Sequence, residues 1–280
     1  MNNRHPVHLV DAPLDPWQLP LIEKKASFSR LEASRLSADS TTLLASSAEI
    51  LATLYYGVLR IRHADPEWPD RDRFAFGGRT TAAALAPLLA DLGFCPRSHL
   101  DRNPQLVLGF EGQPGPIRLP GVDFGSGSAD VALPVGVGMA TAACLAGRQY
   151  RTFVLLDENQ WQEGRMWEAA LVAGRHALGN LIAIVNHSKQ SPHEGLVDTD
   201  SPERCADKWA HFGWDVFHVD GHDVTALLPL LRGLQLAHRS APAVVIARTD
   251  EAFSHERHPL GNLRDAASAP SDGIVDCRPG

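Results

Sequence analysis

From residue 151 onward, short apolar runs alternate with segments of helical spacing. RTFVLLD (151–157), LIAIVNH (181–187), WDVFHVD (214–220) and AVVIART (243–249) are near-continuously apolar and rich in β-branched and aromatic residues. Strands buried on both faces read this way. Between them, residues 163–178, a stretch near 202–211 and residues 223–234 have apolar positions three and four apart. Strand–helix alternation predicts βαβ units, and so an α/β fold with a mostly parallel sheet and helices on both faces.

Upstream of that region the pattern is helical. Apolar spacing predicts helices over 21–37 and 41–60, with Asp39 and Ser40 as N-caps of the second. After the charged loop HADPEWPDRDR, Gly77-Gly78 leads into a third helix, TAAALAPLLADLG. The stretch GVDFGSGSADVALPVGVGMATAACLAG reads as a Gly/Ser-rich loop entering a helix of small residues, which implies close packing of that helix. Residues 1–20, Pro-rich and aperiodic, are expected to form an extended arm, and 263–280 a flexible tail. The Pro- and Gly-rich residues 95–120 read as a long surface loop. One α/β domain over 21–262, with a helical N-terminal lead-in, is the organisation these patterns predict.

Composition narrows the function classes. The 280 residues are 44% hydrophobic and 21% charged, enough apolar material for a sizeable core. Net charge is −7 and no run of Lys or Arg occurs, so neither nucleic acid nor an anionic membrane is the expected partner. Cys95, Cys144, Cys205 and Cys277 are scattered, without a CxxC pair, and are expected to be reduced thiols. The N-terminus MNNRHPVHLVDAP lacks an apolar signal core, and no stretch of eighteen apolar residues occurs, so a cytoplasmic location is expected.

In open parallel sheets, ligands bind at the carboxyl ends of the strands. Three loops fall there: 125–130, 157–164 and 186–195. DENQWQEG carries the carboxylates of Asp157, Glu158 and Glu163; NHSKQSPHEG carries side-chain oxygens at Asn186 and Ser188. Such oxygens on neighbouring strands suit Mg²⁺, and the helix opening at Glu163 can aim its positive end at an anion. A solvated loop with helix-capping carboxylates fits the same residues and stays open on these grounds. His222, in DGHD, is expected to order a turn, and His187 and His193 to face solvent.

Over residues 25–262 the order of these pieces resembles the N-terminal, diphosphate-binding domain of transketolases. AEILATLYYGVLR, PGVDFGSGSADVALPVGVGMA, VLLDENQWQEGRMWEAALVAG, LIAIVNHSKQSPHEG, VDGHD and SHERHPLG carry the likeness. The run Glu163, Gly164, Trp167, Glu168, Ala169, Ala170, followed by the LIAIV strand, is its most specific part. The resemblance implies a thiamine-diphosphate-binding fold, thiamine diphosphate and Mg²⁺ as cofactors, and a site completed at a subunit interface. It also implies a separate pyrimidine-binding partner subunit, matching the C-terminal part of transketolases and assembling as a heterotetramer. Carried over by position, it places Ser126, Gly127, Ser128, Glu158, Asn159, Ser188 and His255 at the cofactor. It makes Glu158, Ser188 and Gln190 the metal ligands, and gives His255 a catalytic role. Glu168 falls where the family has an interface glutamate, although a surface ion pair would use it equally well.

The departures from the family pattern are specific. Asp157-Glu158-Asn159 stands where the family has Gly-Asp-Gly, and Ser188 where it has Asn. Ser40, Thr80 and Gln113 stand where it has histidines, which move protons near neutral pH as these side chains cannot. Two functions are consistent with that combination. The first is a transketolase-like subunit, active with its partner, that transfers a two-carbon ketol or acyl unit to a non-standard acceptor, as in specialised biosynthesis. The second is a scaffold or regulatory subunit that keeps the fold and has lost the cofactor. A homodimeric module binding another phosphate ligand is a third reading, resting on the helix N-termini alone.

Overall fold

A computed structural model describes residues 14–36, 46–102, 116–117, 121–126, 131–157, 163–188 and 202–250. In chain order the helices are α1 (Gln18–Leu36), α2 (Ala48–Thr53), α3 (Arg79–Asp91), α4 (Arg97–Arg102), α5 (Ala132–Leu145), α6 (Gly164–Arg175), α7 (Pro202–His211) and α8 (Val224–Leu236). The strands are β1 (Arg73–Gly77), β2 (Pro116–Ile117), β3 (Phe124–Ser126), β4 (Thr152–Asp157), β5 (Leu181–Ser188), β6 (Asp215–Asp220) and β7 (Ala243–Thr249). They form one sheet in the order β2-β3-β1-β4-β5-β7-β6, parallel throughout except for β2 against β3.

Alternate side chains of the same strands feed two cores. Phe74, Phe76, Phe153, Leu155, Ile182, Ile184, Val245 and Ala247 point to one face, where α1, α2, α3 and α8 cover them. Ala75, Val154, Leu156, Ala183, Val185, Val244 and Ile246 point to the other, beneath α5, α6 and α7. This double coverage is why β4, β5 and β7 carry unbroken apolar runs. Close packing of the small-residue helix α5 holds as expected: a Cβ on Gly136 would strike Val154 Cγ2.

Four features differ from the sequence pattern. Strand β1 occupies RFAFG, which reads locally as the end of a charged loop, although it lies between β3 and β4. Five residues show too few alternations to announce a strand; burial on both faces is what holds it there. Helix α1 starts at Gln18, inside the segment expected to be an extended arm, because Arg232 Nη1 and the Asp15 amide both donate to Gln18 Oε1. The helical stretch expected to reach residue 60 ends in a π-helical turn, Leu54–Val58. The expected long loop over 95–120 contains α4 and β2. The tail 263–280 lies outside the described residues.

At the edge where the parallel strands begin, Asp72 fastens the layers together. Its fully buried carboxylate accepts from the Arg151 amide (2.8 Å), the Arg60 amide (3.0 Å), Arg60 Nη2 (3.1 Å) and Gln235 Nε2 (3.2 Å). Arg151 in turn donates to the carbonyls of Gln235 and Ala237 at the end of α8. None of the described helices is long and apolar enough to cross a membrane.

Candidate functional site

Because the strands are parallel, Gly77, Ser126, Asp157, Ser188, Thr249 and Asp220 all finish at one edge of the sheet. There β4 and β5 are immediate neighbours, with Asp157 opposite Asn186 in register. The acidic and oxygen-rich loops therefore leave adjacent strands. Thr81, in the first turns of α3, donates from Oγ1 to Asp157 Oδ2 at 3.3 Å and fixes that half-buried carboxylate at the strand end. Helix α6 opens beside it with no side-chain cap at Glu163 and no acidic residue in its first turn. Gly164 is exposed, and a Cβ there would meet nothing. The start of α6 therefore offers the positive end of its helix dipole at this edge, with the Met166 amide held by the Glu163 carbonyl at 3.2 Å.

Two buried polar chains brace the same edge. In one, Asn186 Nδ2 donates to Ser46 Oγ (2.9 Å) and Thr249 Oγ1 donates to Asn186 Oδ1 (2.8 Å). In the other, Arg30 of α1 pairs with Glu49 of α2, whose Oε2 lies 3.2 Å from His222 Nδ1. The Asp250 amide, the first beyond β7, donates to His222 Nε2 at 2.9 Å. Burial lowers the Arg30 pKa to about 10. Burial, reinforced by the Arg30 charge, also holds the His222 imidazole below its ordinary pKa.

The residues expected at the cofactor are only partly within the described regions. Ser126 ends β3, opposite Gly77 of β1, and Ser188 ends β5, opposite Thr249 of β7. Their strands are separated by β1 and β4, so three strand spacings, about 14 Å, lie between them. No single ion touches both; a ligand shared by them must be extended. Gly127, Ser128, Glu158, Asn159, Gln190 and His255 lie outside the described residues, as do Ser40, Gln113 and His193. His187, expected to face solvent, is half-buried. Among the described residues no cluster of His, Cys, Asp and Glu is placed to hold a metal ion.

Sequence reasoning misses Thr81, Ser46, Glu49, Arg30 and Thr249 at this edge. Nothing local marks them, since each acts through a partner far away in sequence. In chemical kind the edge suits a magnesium diphosphate: its donors on β4 and β5 are oxygens, and an uncapped helix N-terminus faces the same side.

The comparisons with known proteins agree with this geometry. The family described as "Transketolase, thiamine diphosphate binding domain" matches residues 41–258. One of the subunits of the apulose-4-phosphate transketolase of Phocaeicola vulgatus is 29% identical over 73% of this chain and 72% of its own length. Transketolase-like protein 2 of Mus musculus is 33% identical over 85% of this chain, which spans only 39% of that longer protein. The crystal structure of transketolase from Campylobacter jejuni shares the fold, with a TM-score of 0.68 and 23% identity over 84% of this chain and 38% of that one. The chain belongs to the transketolase thiamine-diphosphate-binding domain family.

Proposed function

We propose that this chain is the diphosphate-binding subunit of a heteromeric, transketolase-like enzyme. With a separate pyrimidine-binding subunit, as a heterotetramer, it moves a two-carbon ketol or acyl unit to an acceptor other than a common sugar phosphate. The observation that carries this reading is the adjacency of Asp157 and Asn186 at the ends of β4 and β5, beside the uncapped start of α6. The split arrangement is supported by the Phocaeicola vulgatus relative, which is named as a single subunit of its transketolase and is matched over most of its length.

Thiamine diphosphate, when bound, supplies carbanion-stabilising chemistry. The α6 amides and the loop that begins at Ser126 would hold its diphosphate, and Glu158, Ser188 and Gln190 would offer oxygens to Mg²⁺. His255 would act at the reacting end. Side chains on α5 and α6 support a docking face for the partner: Leu145, Leu171 and Val172 are 85%, 52% and 43% exposed on helices that share a core.

The competing scaffold reading is favoured by Asp157-Glu158-Asn159 standing in place of Gly-Asp-Gly. Native mass spectrometry of the chain isolated with its partner separates the two. A complex carrying the mass of thiamine diphosphate and Mg²⁺, lost in Glu158→Ala while assembly persists, supports the enzyme. An assembly that stays cofactor-free in excess thiamine diphosphate and Mg²⁺ supports the scaffold.

A further inference from the structure

His222 lies just past the end of β6, where its own amide donates to Asp220 Oδ1 at 2.9 Å. The turn sits tightly against β7: the Gly221 amide donates to the Arg248 carbonyl at 2.7 Å, and a Cβ on Gly221 would crowd Thr249 Cγ2. That approach presses the imidazole between α2 and the residue that follows β7. Its side chain is 6% exposed, as is that of Glu49. Both ring nitrogens are engaged. Nδ1 lies 3.2 Å from Glu49 Oε2, while Nε2 lies 2.9 Å from the Asp250 amide and 3.1 Å from the Asp250 carbonyl.

The chemistry of those partners fixes the proton. A main-chain amide only donates, so Nε2 must be unprotonated to receive it; a carboxylate only accepts, so Nδ1 must carry the hydrogen. The neutral Nδ1–H ring satisfies both. A doubly protonated ring keeps Glu49 but can reach only the carbonyl of Asp250, and the amide loses its acceptor. Glu49 of α2, Arg30 of α1, Asp220 at the end of β6 and Asp250 beyond β7 are the charged groups facing the ring. Arg30 opposes protonation, and the two aspartates favour it.

We propose that His222 is a positioning residue: neutral, it clamps the Asp250 amide to α2 through Glu49, and on protonation it exchanges that amide for the Asp250 carbonyl. The backbone position of Asp250, at the edge where the cofactor is proposed to bind, is thereby set by one proton. Only this last consequence rests on the proposed function; the clamp itself is defined without cofactor.

The test uses the full chain, free of thiamine diphosphate and labelled with ¹⁵N-histidine, between pH 8 and 5. The His222 ring signals, identified by their loss in His222→Gln, should show the Nδ1–H tautomer and a midpoint below the ordinary histidine value. Amide exchange at Asp250, compared at one pH, should be at least tenfold faster in His222→Ala. His222→Gln, which offers one donor and one acceptor, should restore the slow rate. Should His222→Ala fail to fold, Glu49→Gln carries the test, and it should lower the His222 midpoint further. An Nε2–H tautomer, or Asp250 exchange indifferent to all three variants, overturns the proposal. Failure of thiamine diphosphate to bind would count against the proposed function and leave these signals unchanged.

Discussion

Asn186 and Ser46 stand 140 residues apart in the chain and are joined by a buried hydrogen bond of 2.9 Å, Asn186 Nδ2 donating to Ser46 Oγ. The same amide accepts from Thr249 Oγ1 through its oxygen, so one side chain ties the start of α2 to β5 and β7. Asn186→Leu leaves two buried hydroxyls without that partner, at about 1–3 kcal/mol each. Urea denaturation should show a summed loss of about 2–6 kcal/mol. Asn186→Asp should lose less, because the Ser46 hydroxyl can turn and donate to the carboxylate.

Asp72 should be among the costliest polar positions to change. Its removal abandons four donors, including two from Arg60, at the edge where the strands begin. The Arg60 guanidinium is 41% exposed and can turn to water, so the cost comes chiefly from the Arg151 amide and Gln235 Nε2 left without their acceptor, at about 1–3 kcal/mol each. Asp72→Ala should therefore lower the denaturation midpoint measurably, and an unchanged midpoint would show that the network relaxes around the gap.

Stability should fall on mild acidification. Because burial holds the folded His222 below its ordinary pKa, the unfolded chain takes up the proton first. The favourable contribution is present above the ordinary histidine value, near 6.5, and is lost as pH falls from there toward the folded value. Urea midpoints at pH 8, 6.5 and 5.5 should decline more steeply for the native sequence than for His222→Gln. Parallel slopes would place the titrating group elsewhere.

Thiol reactivity should follow burial. Cys205 is fully buried, and its thiol is pushed up to about 12 by that burial, whereas Cys144 is exposed. Thiolate is the reactive form. Iodoacetamide at pH 7.5 should modify Cys144 in the folded protein and leave Cys205 untouched until denaturant is added, as peptide mass mapping would read. Early labelling of Cys205 would mean that the contact between α7 and the sheet opens readily.

The α/β architecture was legible because β4, β5 and β7 are buried on both faces and write that burial as unbroken apolar runs. Neighbouring placement of the two oxygen-rich loops was legible too, since consecutive strands flanking a helix pair directly, as Asp157 and Asn186 do. Strand β1 was not: Arg73 through Gly77 is short, follows charged residues and gains its identity only from β3 and β4 on either side. Nor were the bracing pairs. His222 reads locally as a turn residue, and it does order a turn, but its link to Glu49 spans 173 positions and no periodicity encodes it.

Asp72 also explains how a loop-bearing edge could be rewritten. Its fastenings to Arg60, Arg151 and Gln235 lie at the opposite end of the strands from Asp157 and Ser188. Substitutions beyond the strand ends leave those bonds untouched, so this part of the fold's stability does not depend on the loops that choose the ligand. Such a scaffold can absorb changes in the loops beyond the strand ends while the Asp72 fastening stays whole, and grafting loops from a relative onto this frame is the natural way to exploit it.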